Sequence, residues 1–261
     1  MVKVKKISIA EYLLPVMIIN LKSKTIISIP TQIGCIIDCS FCISKEKKFI
    51  RNLTSNEMIS LYKESLKYSN NSNVLLSFTG EGEPFLNIKE INEVIKKTEN
   101  DRTIQGYRIC TSGIIPKQLS KIYYSIKPIN LQISLHSPFT EKRKTVIEKS
   151  KSVEQILQEV KKNDYLYNEI AFNYVMINGF NDSIKDLEKL KEIIDKKWVI
   201  KLNPLLSEKG KVEENKNKDL FYEDLKSNGF NVKSFNKIGS ELSNKFYEQL
   251  TYEYNNAILI N

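Results

Sequence analysis

Apolar residues along this chain recur with two periods, and each period predicts a different kind of element. Short, nearly continuous apolar runs predict buried strands, whereas apolar residues three or four positions apart predict one face of a helix. The runs predict strands over residues 13–20, 25–30, 74–79, 107–111, 130–135, 169–176, 198–203 and 230–235. The helical spacing predicts helices over residues 55–69, 87–97, 116–125, 140–148, 153–162, 183–195 and 219–227, with Ser55 as the N-cap of the first.

Strands and helices alternate along most of the chain, which predicts βαβ units around a parallel sheet. About six such units are too few for a complete eight-stranded barrel, so the predicted fold class is α/β, a partial (β/α)6 TIM-like barrel. The first two runs predict a hairpin, and we expect an N-terminal extension over residues 1–27 and one core domain over residues 28–261. The polar stretch 208–218 is predicted to be a loop beside the barrel mouth.

Candidate site segments follow the predicted strands. In barrels, the loops at the C-terminal ends of the strands carry the functional site. A turn-forming glycine or a Ser-Gly pair that ends a strand would explain each segment taken alone, but their shared position predicts one site. The segments are residues 35–42, 80–84, 110–113, 134–136 and 203–204.

Composition narrows the class of protein. With 261 residues and 41% hydrophobic content, the chain can bury a sizeable core. No apolar run approaches the length of a membrane span, and no sustained apolar region follows the basic start, so we expect a cytoplasmic protein without a signal peptide. A net charge of +9 favours an anionic partner such as a nucleic acid, although the excess lysine is spread along the chain as in a general compositional bias.

Three of the four cysteines, Cys35, Cys39 and Cys42, form a C-x₃-C-x₂-C loop. Three thiolates on one loop can ligate three irons of a 4Fe-4S cluster and leave the fourth iron open, whereas iron–sulfur proteins normally supply four cysteines. A zinc site completed by His136, the only histidine, and a disulfide framework are the alternatives. The zinc site is disfavoured because no second ligand lies beside His136. The disulfide framework is disfavoured because we expect no secretory leader.

This spacing resembles the signature of radical S-adenosylmethionine (SAM) enzymes, in which SAM chelates the open iron and is cleaved reductively to a 5′-deoxyadenosyl radical. Over residues 25 to 250, roughly, the chain resembles the RlmN/Cfr family of RNA adenine methyltransferases. The motifs that carry this resemblance are Gln-Ile-Gly-Cys at 32–35, Cys-x-Phe-Cys at 39–42, Phe49-x-Arg51-Asn52-Leu53, Gly80-Glu81-Gly82-Glu83-Pro84-x-x-Asn87, Thr111-Ser112-Gly113, Ile133-Ser134-Leu135-His136, Tyr174-Val175-Met176 and Asn181-Asp182.

The resemblance implies cofactor contacts position by position. The three loop cysteines would bind the cluster, and Gly82 and Glu83 match the segment that holds the methionyl amine. A reductant such as flavodoxin or ferredoxin is the implied electron donor. Cys110 stands where the family commonly has a serine near SAM. The remaining implied SAM contacts are Ser112, the ribose-side residues Ser134, Leu135 and His136, and Asn203 on the adenosyl side.

The chain also departs from the family pattern. The family uses two further cysteines, and the matching positions here are Ser28, seven residues before the first cluster cysteine, and Tyr247. Cys110 lies elsewhere, and with 24 residues before the match we expect no N-terminal accessory domain of the family's kind. We therefore expect a radical SAM enzyme whose radical abstracts hydrogen directly from an unidentified substrate, and not a methyl-Cys-dependent RNA methyltransferase.

Three residues are the candidate catalytic groups: Ser28, Tyr247 and Glu81, which replaces the family's usual methionine. Glycines on both sides of Glu81 let its side chain face the site. A carboxylate there can receive a proton or pair with a cationic group of the substrate. The alternative is that Glu81 is a solvated charge at the rim of the site. Tyr247 can pack against substrate, pass on a hydrogen atom or fill lost volume. Thiol-independent RNA modification and non-catalytic cluster binding remain the alternative functions.

Overall fold

The computed structural model describes residues 2–42, 48–206 and 212–234. Within these ranges one nine-stranded sheet and six α-helices form the framework. The strands are β1 (Val2–Ile9), β2 (Tyr12–Asn20), β3 (Thr25–Ile29), β4 (Val74–Phe78), β5 (Ile104–Thr111), β6 (Ile129–Ser134), β7 (Glu169–Val175), β8 (Val199–Asn203) and β9 (Asn231–Ser234). The helices are α1 (Ser55–Ser65), α2 (Ile88–Thr98), α3 (Thr140–Val146), α4 (Val153–Asn163), α5 (Ile184–Ile193) and α6 (Lys218–Ser227).

The order of the strands in the sheet follows their order in the chain. Strands β1, β2 and β3 pair antiparallel, and every pair from β3 to β9 is parallel. Six crossovers therefore join seven parallel strands in the described part of the chain, which confirms the α/β class and fits a partial barrel. The expected boundary between residues 27 and 28 falls inside β3, which pairs with β2 on one side and β4 on the other.

Side chains alternate between the two faces of the sheet, as strand geometry requires. One face packs against the helices in a single apolar core. From this core-facing set, Ile27, Leu76, Ile109, Phe172 and Leu202 are fully buried. The alternate positions point to the opposite face, which we call the inner face. On β5 to β8 this inner face carries mainly polar residues: Arg108, Cys110, Asn130, Gln132, Ser134, Glu169, Asn173, Lys201 and Asn203.

Several element boundaries differ from the sequence-based prediction. Thr54, not Ser55, is the N-cap of α1, because its side chain accepts a hydrogen bond from the Glu57 N–H while Ser55 lies buried in the first turn. The segment predicted as a helix over 116–125 is a 3₁₀ helix, Pro116–Lys121, of the kind that often connects elements. In the predicted loop 208–218, Val212–Glu213 pairs with Leu205–Leu206 and α6 starts at Lys218, while residues 208–211 lie outside the described ranges.

Strand β1 was not predicted, because its apolar residues are interrupted by Lys3, Lys5 and Lys6. It pairs along its whole length with β2, from Val2 opposite Ile19 to Ile9 opposite Tyr12. Among the described helices, none combines the length and the apolar content needed to cross a membrane.

An ion pair holds the chain where it leaves the cysteine loop and enters α1. The Arg51 guanidinium donates two hydrogen bonds to the Glu57 carboxylate, at 2.8 and 2.9 Å. Glu57 also accepts from the Thr54 backbone N–H at 2.8 Å, completing a capping box. The hydrogen bonds from Arg51 lower the pKa of Glu57 to about 2.

We predict that Glu57→Gln lowers the free energy of unfolding by about 1–2 kcal/mol, because it breaks a bidentate ion pair and weakens a capping box. The depressed pKa means that Glu57 contributes this stability above its ordinary pKa of 4.5 and loses it as the pH falls through about 2. Urea unfolding at pH 7 and pH 2.5 measures both effects. The exposed Glu64→Gln is the matched control, and equal losses in the two variants at pH 7 would contradict the prediction.

Candidate active site

Gly34 connects the end of β3 to the cysteine loop, and any other residue at this position would be strained. Gly34 has φ +72°, and a Cβ there would lie 2.0 Å from the Lys48 carbonyl oxygen. Its N–H donates to Glu81 Oε2 at 3.3 Å. Within the loop, the Cys42 N–H donates to the Cys39 carbonyl at 3.1 Å, and Asp38 adopts φ +56°. The three thiols are therefore held on one tight, partly exposed turn.

The three thiols share one small region of the structure. Burial raises the pKa of Cys35, and it raises the pKa of Cys39 to about 12, with the neighbouring thiols adding to both shifts. Backbone N–H groups of Ile37 and Gly82 act on Cys35 in the opposite direction. Such N–H donors stabilise a thiolate, and hydrogen bonds to sulfur are typical of iron–sulfur ligands. The three thiols therefore fit a 4Fe-4S cluster in which each thiolate binds one of three irons.

The zinc alternative needs His136 as the fourth ligand beside the three cysteines. His136, the histidine of the zinc alternative, is buried, and burial lowers its pKa to about 3. Its Nδ1 accepts a hydrogen bond from the Val175 N–H at 3.2 Å, and its ring meets the edge of Phe41 at 5.0 Å. His136 is thus a neutral histidine engaged with the β7 backbone.

The Glu83 carboxylate is the most fully hydrogen-bonded group at the strand ends. Its Oε1 accepts from Thr111 Oγ1 at 2.6 Å and from the Phe85 N–H at 3.1 Å. Its Oε2 accepts from the Ser112 N–H at 2.7 Å and from Ser112 Oγ at 2.6 Å. Burial raises the pKa of Glu83, and these four donors oppose that shift. Because a carboxylate offers about four acceptor positions, Glu83 is saturated by this chain's own residues.

Two amide side chains fix the Gly82–Glu83 segment against the cysteine loop. Gly82 has φ +103°, and a Cβ there would lie 2.7 Å from side-chain atoms of Gln32. Gln32 Oε1 accepts from the Glu83 N–H at 2.8 Å. Asn87 donates to the Thr31 and Leu53 carbonyls, each at 2.8 Å, and so joins the two ends of the loop.

Arg143 joins the ends of β5 and β6 from beneath. This α3 residue is completely buried, and its guanidinium donates to the carbonyls of Ser112, Ser134 and Leu135, the last two at 2.9 and 3.1 Å. Burial lowers its pKa to about 10, and the nearby Cys39 and Glu83 oppose the shift. The Ser112–Gly113 and Ser134–His136 segments are thereby fixed relative to each other.

A second clamp holds the end of β6 against the end of β7. Asn181 donates to the carbonyls of His136 at 2.6 Å and Val175 at 2.7 Å, and its Oδ1 accepts from the Ile177 N–H at 2.7 Å. His136 adopts φ +56°, a left-handed conformation that this clamp stabilises.

The structure brings the sequence-predicted residues to one end of the sheet and to its inner face. Ser28 lies beside Ser77, and the Ser77 hydroxyl, the Thr79 hydroxyl and Cys110 Sγ form a hydrogen-bonded chain at 2.6 and 2.8 Å. Asn203 donates to Asn173 Oδ1 at 3.3 Å. Tyr247 lies outside the described residues. Glu81 is not a solvated rim charge, since it is 3% exposed and bonds to the Gly34 N–H.

Sequence reasoning missed two functional candidates, Arg143 and Lys201. Arg143 occupies an ordinary position in a helix, and only the fold brings three strand-end carbonyls to it. Lys201 had a usable signal, because it is a charged residue in the middle of an apolar strand. Alternation within β8 places it on the inner face, opposite to the buried Ile200 and Leu202.

Comparison with known sequences identifies the relatives of this chain. The sequence model described as the radical SAM superfamily matches residues 29–195. A probable dual-specificity RNA methyltransferase RlmN from Petrotoga mobilis is 31% identical over 242 residues, which cover 87% of this chain and 68% of the relative. The RlmN of the same description from Fervidobacterium nodosum is 34% identical over 174 residues, 64% of this chain and 49% of the relative. The chain thus spans about half to two thirds of the length of these relatives.

Solved structures agree on the fold. A radical SAM methyltransferase from Sphaerobacter thermophilus superposes with a TM-score of 0.75 at 19% identity, over 85% of this chain and 69% of that one. Streptococcus suis SuiB, solved with its precursor peptide SuiA, superposes with a TM-score of 0.59 at 14% identity, over 89% of this chain and 52% of that one.

The chain belongs to the radical SAM superfamily. Within the superfamily its sequence is homologous to RlmN-type RNA methyltransferases at 31–35% identity, which confirms the resemblance found in the motifs. Members of this superfamily use a 4Fe-4S cluster and SAM, and the cysteine loop and the strand-end segments described above fit that pair of cofactors.

We predict that Glu83→Gln lowers the free energy of unfolding by about 1–3 kcal/mol and weakens SAM binding at least tenfold, because an amide NH₂ would face hydrogen-bond donors in a buried site. Urea unfolding and equilibrium binding of SAM measure the two effects. Glu148→Gln, at an exposed position, is the matched control. If Glu83→Gln matches this control in both measurements, Glu83 does not organise the site.

Proposed function

We propose that this chain is a SAM-cleaving enzyme whose radical abstracts hydrogen directly from its substrate. The observation that carries the proposal is the set of three thiols on one turn, with backbone N–H groups of Ile37 and Gly82 directed at Cys35. Cys35, Cys39 and Cys42 would bind the cluster. When bound, the cluster and SAM supply a 5′-deoxyadenosyl radical, with the electron coming from a reductant such as flavodoxin or ferredoxin.

The strand-end residues would bind and orient SAM. The saturated Glu83 carboxylate shapes the segment from within, and the Glu83 carbonyl accepts from the Leu86 N–H at 3.0 Å, so the Gly82 carbonyl would be the acceptor for the methionyl amine. Nδ1 of His136 accepts a hydrogen bond, so the neutral ring carries its proton on Nε2 and can donate it to a ribose hydroxyl. Arg143 keeps the Ser112 and Ser134 segments at a fixed spacing, so both can contact one ligand.

The methyl-carrying thiol route of the RlmN/Cfr family would not operate here. The two matching positions are Ser28 and Tyr247, and the chain has one cysteine outside the cluster loop. A hydroxyl is a far poorer methyl acceptor than a thiolate. Cys110 does not match either position, and its sulfur accepts a hydrogen bond from Thr79 on the inner face. We therefore assign hydrogen abstraction without a thiol intermediate.

A second candidate function is RNA modification by a thiol-independent route. Homology to proteins named RNA methyltransferases favours it, and the net charge of +9 is compatible with an RNA partner. Non-catalytic cluster binding is the weaker alternative, because the buried Glu83 network preserves the cofactor-binding segment in full.

We predict that the anaerobically reconstituted protein holds one 4Fe-4S cluster and that Cys39→Ala loses both the cluster and SAM cleavage. Elemental analysis for iron and zinc and chromatographic detection of 5′-deoxyadenosine provide the two readouts. Cys110→Ser is the control for iron content, because its sulfur lies outside the cluster loop. Continued SAM cleavage after replacement of all three loop cysteines would overturn the assignment.

We also predict that incubation with SAM, reductant and ribosomal RNA yields 5′-deoxyadenosine without C-methylated adenine. The reason is the pair of hydroxyl side chains at positions 28 and 247. Mass spectrometry of the digested RNA measures the outcome, with an RlmN enzyme as the positive control. Methylated adenine in the sample from this chain would show that the methyl transfer needs neither thiol.

A further inference from the structure

The inner face of the sheet carries more positive than negative charge toward the N-terminal ends of β6 and β7, where Arg108 lies beside Asn130 and Asn130 beside Glu169. We call Arg108, Gln132, Glu169, Lys201 and Lys233 the lumen cluster. All five lie at positions that alternate with the apolar core on β5 to β9. Three cations face one carboxylate, so two positive charges lack a partner of opposite sign within the cluster.

The pairing inside the cluster shows which cations are uncompensated. Lys233 Nζ forms an ion pair with Glu169 Oε2 at 2.8 Å. Lys201 Nζ is 3.8 Å from the same carboxylate and donates instead to Gln132 Oε1 at 2.8 Å. The Lys201 side chain is 18% exposed. Arg108 has no ion pair within the described ranges, and its Nε is buried without a hydrogen-bond partner.

Arg108 and Lys201 are both half-buried, and two cations held side by side with little solvent around them are costly unless an anion joins them. Burial, followed by the nearby Arg108 charge, lowers the pKa of Lys201 to about 8, while Glu169 and Cys110 oppose the shift and Lys233 adds to it. Arg108, through its unpartnered Nε, and Lys201 therefore share Glu169 as their nearest carboxylate with Lys233, and together they suit a further anion.

We propose that Arg108 and Lys201 bind a phosphate monoester group of the substrate inside the barrel. A dianion matches the two uncompensated charges, and a guanidinium beside an ammonium provides donors for several phosphate oxygens. Arg108 and Lys201 are half-buried on the inner face of the sheet, which favours a small phosphorylated molecule over the backbone of a nucleic acid.

The position of the cluster fits a substrate that spans from the lumen to the SAM site. Arg108 lies three residues before the end of β5, and Lys201 lies two residues before the end of β8, which places their Cα atoms about 10 and 7 Å below the strand ends. The Lys201 ammonium reaches back from there to within 3.8 Å of Glu169, the first residue of β7. A phosphate held there would leave the rest of a small molecule directed toward the ends of the strands. This proposal rests on the proposed function for its use, but anion binding itself needs neither cluster nor SAM cleavage.

The test is equilibrium dialysis of the full-length protein against radiolabelled inorganic phosphate. We expect saturable binding at one site, weakened about tenfold or more by Arg108→Gln and by Lys201→Met, because each removes one of two charges on a dianion. The control is Arg102→Gln, an exposed arginine near the start of β5, with unchanged binding expected. Circular dichroism checks that each variant is folded. If Arg108→Gln does not fold, the result for Lys201→Met alone decides the test.

Competition separates a phosphate monoester from other anions. Acetate and dimethyl phosphate, both monoanions, should displace phosphate poorly at equal concentration. Displacement by dimethyl phosphate as effective as by phosphate would assign the site to a phosphodiester, as in an RNA backbone, and would overturn the monoester proposal. Absence of saturable binding, or binding unchanged in both lumen variants, would overturn the anion site while leaving SAM cleavage unaffected.

Discussion

The buried Glu83 carboxylate is the interaction on which the site depends. It lies in the loop after β4, and its four donors come from the end of β5 and from the turn that leads into α2. A buried charge of this kind is tolerated only when its hydrogen bonds are complete. Any displacement of β5 relative to β4 would leave part of the carboxylate unpaired. The same requirement that satisfies Glu83 therefore holds the Gly82–Glu83 and Thr111–Ser112 segments in register.

The site is built by side chains that bond to backbone atoms of distant segments. Asn87 joins Thr31 to Leu53, Asn181 joins His136 to Val175, and Arg143 gathers three strand-end carbonyls. Strand ends are irregular, and their polar groups would otherwise be buried without partners. These clamps satisfy those groups and fix the loop conformations together. The loops consequently present their remaining donors and acceptors without rearrangement.

The sequence predicted the parallel strands well, because buried parallel strands are short continuous apolar runs such as Val74–Phe78. It failed for β1, where lysines interrupt the pattern, and for the cap of α1, where Thr54 and Ser55 are both good caps. The cysteine loop and the Glu83 segment could be predicted from their spacing and motifs. The burial of Glu81 and the role of Arg143 could not, because each depends on which residues the fold places opposite one another. Lys201 was visible as a charge within an apolar strand, but its neighbours across the sheet were not.

Strand β1 has a consequence for the behaviour of the protein in solution. It is the last strand of the sheet on its side within the described residues, so one row of its backbone groups faces outward. An open strand edge can recruit the edge of another molecule and start aggregation, and lysine is a common deterrent. Lys3, Lys5 and Lys6 place three positive charges along this edge. The lysines that interrupt the apolar pattern of β1 are thus also the residues that disfavour pairing of this edge with a second copy of the chain.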